Sequence, residues 1–153
     1  MNRFFSILKK VIQRIYRFIT IGNKKPKIMR EAGFDFDWDD LKVQAIDEPI
    51  SELDINELLW NFDIPFWEEE IINDWNLTPR EVVKHPKYHQ NHYQKVLQSD
   101  LQYPICIARN KKGRWFVLDG THRLTKAYLN KQKTVKVKII PKERISEIKK
   151  NSE

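Results

Sequence analysis

The chain has 153 residues, 41% hydrophobic and 12% aromatic, which is enough apolar mass for one folded domain and too much for a disordered chain. Its formal charge of +7 is unevenly spread: nine of the 28 Lys/Arg lie in residues 1–30, which hold no acid, and the other 19 face 21 acids in residues 31–153, a net of −2. The body therefore offers no charge-based case for nucleic acid, and the single cysteine, Cys106, excludes an internal disulfide and points to a reducing, cytoplasmic setting.

Phe4, Phe5, Leu8, Val11, Ile12, Ile15, Tyr16 and Ile19 recur at three- and four-residue spacing. Arg3, Lys10, Arg14 and Arg17 fall on the opposite side, which predicts an amphipathic helix with a basic face. Gly22 ends it and residues 23–27 read as a linker, so residues 1–27 form a first unit and residues 28–153 the body. The apolar run is too short to span a membrane, and Lys9, Lys10 and Arg14 interrupt any signal-peptide core. Two uses stay open. Residues 3–19 lie on an anionic membrane surface, peripherally attaching the chain, or they pack on the body or a partner with their bases solvated.

Residues 31–43, acidic and aromatic, are expected to be a loop; their aspartates lack the glycine and closing Glu of a calcium hand. Residues 43–50 read as a strand stopped by Pro49, and Ser51-Glu52-Leu53-Asp54 as the start of a helix. Trp60, Phe62, Phe66 and Trp67, around Pro65, are core packing or a stacking platform for a base. Residues 68–75 are expected to continue as helix. Thr78-Pro79-Arg80-Glu81 is a start signal, with Thr as N-cap and Pro at the first helical position, and Lys84-His85-Pro86 a stop. A further helix is expected over about 87–98, so residues 61–99 form a helical insertion. Residues 103–109 and 114–118 are β-rich runs joined by Asn110-Lys111-Lys112-Gly113, a hairpin. A helix over 121–130, a strand over 134–140 and a short terminal helix over 143–150 complete an α+β body with a small mixed sheet and surrounding helices.

The chemistry concentrates at Asp119-Gly120-Thr121-His122-Arg123, where an apolar strand turns into a helix. A glycine before a helix start leaves backbone N–H groups and the positive dipole end facing outward, the usual place for phosphate. Arg123 adds a bidentate fork and His122 a titratable donor. A plain turn capped by Asp119 or Thr121 is the competing reading. His85, His89 and His92 lie within eight residues, but no third ligand has a zinc spacing. His89 or His92 would border the turn and orient a substrate, or be surface histidines. Asp119 and Glu48 are the candidate carboxylates for a metal or a proton.

Residues 119–127, following Tyr103-Pro104-Ile105 and the hairpin, resemble the ParB/sulfiredoxin superfamily over about residues 100–140. A weaker likeness covers 43–60, where that fold begins with a strand followed by a helix; residues 1–42 and 61–99 lie outside it. The resemblance implies a small α+β fold that binds nucleotide phosphates at this turn. Sulfiredoxins reduce cysteine sulfinic acid through the Cys of Gly-Cys-His-Arg, and Thr121 in that place removes the chemistry. ParB proteins bind and hydrolyse CTP through Gly-Glu-Arg-Arg and clamp DNA; here the residues are Gly120-Thr121-His122-Arg123, with no evident helix-turn-helix after them. The ParB-like free serine kinases carry Asp-Gly-His-His-Arg and use an acid as base toward the serine hydroxyl; Asp119-Gly120-x-His122-Arg123 is most similar to these.

The function expected is therefore that of a nucleotide-binding phosphotransferase or nucleotide hydrolase. Gly120, Thr121, His122 and Arg123 would hold the phosphates of ATP, ADP or CTP. Asp119, His122 and Glu48 would be catalytic, Asp119 would hold Mg2+, and His89 and His92 would orient a small hydroxyl-bearing substrate. The alternatives are a non-catalytic phosphate- or nucleotide-sensing module on a membrane, and a ParB-like DNA-acting nuclease, which the body's charge disfavours.

Overall fold

The computed structural model describes residues 4–9, 11, 12, 15, 25, 27–68 and 75–151. Residues 4–9, 11, 12 and 15 are helical (α1) and exposed. The rest of the expected N-terminal helix, and the linker apart from Lys25 and Lys27, lie outside the described residues.

The body is α+β. β1 (Ile50–Asp54), β4 (Ile105–Arg109), β5 (Trp115–Asp119) and β6 (Thr134–Ile139) form one sheet in the order β1-β6-β4-β5. Only β4 and β6 pair in parallel, so the sheet is mixed. Four consecutive residues of β4, Ile105–Ala108, are buried, so both faces of the sheet are covered there. A second, two-stranded ribbon pairs β2 (Trp67–Glu68) with β3 (Trp75–Leu77). The helices are α2 (Lys27–Ala32), α3 (Asp40–Ala45), α4 (Pro79–Lys84), α5 (Gln90–Gln98) and α6 (Thr121–Leu129).

Several local expectations hold. Thr78 accepts the Glu81 N–H at 3.1 Å, capping α4 behind Pro79. The β4–β5 hairpin is closed by Asn110, whose Oδ1 accepts the N–H groups of Lys112 and Arg114. The terminal segment is helical, as a 3-10 turn over Lys142–Ile148.

The region 31–68 departs from expectation. Residues 31–43 are not simply a loop: α2 ends at Ala32 and α3 starts at Asp40. Asp39 caps α3 by accepting the Leu41 N–H at 2.9 Å, which draws residues 43–45 out of the expected strand and into helix. The strand starts only after Pro49, at Ile50, and takes in residues 51–54, the expected helix start, because their backbone groups pair with β6. Asp54 then caps a 3-10 turn over Ile55–Glu57. Within the expected helix 68–75, Glu68 and Trp75 belong to the ribbon, and residues 69–74 lie outside the described residues. The insertion 61–99 thus mixes 3-10 turn, ribbon and helices.

The aromatic residues of 31–67 converge on Phe116 of β5. Trp38 and Phe34 meet it edge-on at 5.4 and 6.1 Å, and Phe66 lies tilted against it at 5.6 Å. Gly33 passes so close that a Cβ there would lie 2.7 Å from the Phe116 ring. These residues also serve the backbone of β5, an edge strand. Cys106 pairs with Asp119 and Ile107 with Val117, so Leu118 is the extra residue of a bulge. The Trp38 indole N–H donates to its carbonyl at 3.2 Å. Asn61, 1% exposed, accepts the Val117 N–H at 3.0 Å and, with Trp60, donates to the Trp115 carbonyl.

Asn61→Ala is expected to lower stability by about 2 kcal/mol, because it strands the Val117 N–H in the interior. Urea unfolding checks this; a loss below about 0.5 kcal/mol, the range of ordinary surface substitutions, would show that Asn61 does not secure the strand edge.

Candidate functional site

The turn after β5 begins at Gly120, whose φ of 103° is left-handed. A Cβ at this position would meet the Arg123 guanidinium at 2.8 Å. Gly120 occupies the N-cap position of α6 with no side-chain hydrogen bond to the helix start, so neither Asp119 nor Thr121 caps it. The start of α6 thus carries no side-chain cap.

The Asp119 carboxylate turns to Arg123 instead. Arg123 Nη2 donates to Asp119 Oδ2 at 3.0 Å and to the Pro104 carbonyl at 3.1 Å. Gln44 Nε2 reaches the same Asp119 oxygen at 3.4 Å. The Arg123 Nε is buried with no hydrogen-bond partner. The guanidinium is thus partly committed to the protein and keeps unmet donor capacity.

Beside this turn, Trp67 forms a platform. Its ring stacks on His122 with centroids 4.4 Å apart and on His92 at 5.1 Å. The two imidazoles are within 8° of parallel, with centroids 5.7 Å apart and nearest nitrogens 3.4 Å apart. They therefore meet edge to edge in nearly one plane, both lying on the indole face. The Trp67 N–H donates to Thr121 Oγ1 at 2.9 Å, which leaves the threonine O–H to donate elsewhere.

Partner chemistry fixes the protons. A carbonyl only accepts, so His92 Nε2 carries the hydrogen toward Glu68 O at 2.6 Å. In the state with both imidazoles neutral, His92 Nδ1 accepts and His122 Nε2–H donates across the 3.4 Å contact. His122 Nδ1 is then a lone pair, not the donor the sequence suggested. Burial, with His92, Lys95 and Arg123 nearby, lowers the His122 pKa to about 4.

The other expected residues lie apart. Glu48, just before β1, pairs with Arg144 Nη1 at 2.9 Å, its only partner among the described residues. His89 sits at the N-cap position of α5 without capping it, and His85 lies 3.8 Å from Glu81. Among the described residues no three His, Cys, Asp or Glu side chains gather as a metal site, so Asp119 would hold a metal only with oxygens supplied by a ligand. Cys106 is buried, and that burial raises its thiol pKa. The aromatic run hid one participant, Trp67: its indole stacks on histidines rather than on a base, and only the approach of β2 to α5 and α6 reveals it.

Compared with known proteins, the chain matches no family model, no curated protein and no solved structure.

Two outcomes follow for this site. The unfolded chain binds a proton at a histidine near pH 6.5 while folded His122 resists until about pH 4, so the folded state loses stability as pH falls through that window. The loss reaches about 3 kcal/mol at most, and His122→Gln should abolish it; urea unfolding of both proteins at pH 7 and pH 4.5 checks this, and an equal drop in both would dismiss the assignment. Gly120→Ala should cost about 1–3 kcal/mol through its left-handed backbone and the Arg123 collision, whereas Gly113→Ala, with open space around it, should not add the collision part.

Proposed function

We propose that this chain is a nucleotide-binding protein of the ParB/sulfiredoxin kind, a phosphotransferase or nucleotide hydrolase working at the Asp119–Arg123 turn. The observation that carries this reading is the uncapped start of α6 at left-handed Gly120. Three amides there, the Thr121 O–H and the Arg123 guanidinium form a donor set suited to phosphate oxygens. Lys95 adds positive charge near His122. ATP, ADP and CTP are the ligands to which the resemblance points.

In this reading the phosphate binds the amides of residues 121–123, and the Arg123 Nε and remaining N–H groups meet charge developing on the transferring group. A substrate hydroxyl would give its proton to His122 Nδ1, and His122 would pass its Nε2 proton to His92 Nδ1 across the 3.4 Å contact. His92, held by Trp67 and Glu68, is in this way the base of the pair. Asp119 is the carboxylate through which a magnesium ion brought in by the nucleotide would meet the protein. Glu48, tied to Arg144, is given no catalytic role.

One observation favours the non-catalytic alternative, a nucleotide sensor. A His122 pKa near 4 makes a weak base at neutral pH, and Asp119 is engaged by Arg123. Both readings require the same binding event.

Calorimetry with ATP, ADP, CTP and GTP, with and without magnesium, is the test. At least one nucleotide should bind wild-type protein, and Thr121→Val should weaken it about tenfold, the equivalent of one lost hydrogen bond. Absence of binding at millimolar nucleotide would end both readings. Phosphate release or transfer by the wild type, lost in His92→Gln with binding retained, separates enzyme from sensor.

A further inference from the structure

We propose that residues 3–19 dock the chain on an anionic lipid surface, a function separate from the turn at Gly120. The described part of this segment is helical, yet its side chains are of the kind the body buries: Phe4 is 68% exposed, Phe5 59%, Ile12 56% and Ile15 53%. By helical periodicity, every apolar residue from Phe4 to Ile19 falls in one half of the circumference. Arg3, Lys9, Lys10, Arg14 and Arg17 fall in the other half, with only Ser6, Gln13 and Thr20 beside them. A broad apolar face bordered on both sides by bases is the pattern that lies in a bilayer interface, with side chains among the acyl chains and ammonium and guanidinium groups at headgroup level.

Charge selects the occupant. Residues 1–30 hold nine bases and no acid, so an acidic surface attracts this segment at every point along it. The body, at a net −2, gives such a surface no comparable attraction, so the helix alone sets the orientation. A second copy of the same helix would bring two all-basic segments together. A nucleic acid would satisfy the bases and leave the apolar half in water. An acidic lipid surface serves both halves at once.

The test uses the full chain in co-sedimentation with phosphatidylcholine vesicles, with and without phosphatidylglycerol, at low and high salt. Binding should appear with phosphatidylglycerol, weaken with salt, and fall at least about tenfold in the double variant Phe5→Glu, Ile12→Glu, which loses two apolar insertions. Urea unfolding of the variant should match wild type, since both positions are exposed. Equal pelleting with neutral and acidic vesicles overturns the proposal. So does undiminished pelleting of the double variant, and so does retention on RNA with no vesicle binding. No nucleotide is present, so the result is independent of the reading of the turn.

Discussion

Closure of the outer edge of β5 is the constraint on which the rest of the body depends. An edge strand leaves backbone groups unpaired, and a bulge adds one more at Leu118. The protein meets these groups with side chains from a distant stretch of chain: Trp38, Trp60 and Asn61. Each is at or near the core, and each also packs around Phe116 or next to residues that do. Apolar burial and polar satisfaction are therefore met by the same residues. An edge closed in this way cannot recruit a further strand, and the bulge aims the chain into the Gly120 turn.

That turn is the consequence. Cys106 pairs with Asp119 across the bulge, which holds the acid within reach of Arg123 one helical turn later. The ion pair folds the guanidinium back over Gly120, where only a residue without a Cβ leaves room. The amides at the start of α6 are left uncapped because the nearest carboxylate is already spent on this contact. The Asp119 carboxylate thus serves an ion pair rather than a cap at the start of α6.

The histidines show how placement decides chemistry. An exposed imidazole titrates near neutrality, whereas His122, under the Trp67 indole and beside a second histidine, stays neutral until about pH 4. The Glu68 carbonyl accepts from His92 Nε2, so the backbone of β2 determines that this imidazole nitrogen of α5 carries a hydrogen. The ribbon that supplies Trp67 and Glu68 belongs to the site as much as the turn does.

Local signals were legible in the sequence wherever they are satisfied locally. Thr78-Pro79, the hairpin at Asn110, the alternation in β6 and the glycine at the start of α6 all act within a few residues, and each element stands where its residues imply. Reading failed at residues 31–54 and at 68 and 75. Asp39 could cap a helix or sit in a loop, and the segment after Pro49 could be strand or helix; only pairing with β6, 80 residues or more away, settled it. The sequence alone determined the α+β class, the basic amphipathic N-terminus and the residues of the turn. Tertiary structure alone decided that His92, not His89 or Glu48, joins His122, that Trp67 lies beneath both, and that Asp119 pairs with Arg123. Those outcomes depend on contacts between residues distant in the chain, whose free energies exist only once the sheet has brought the segments together.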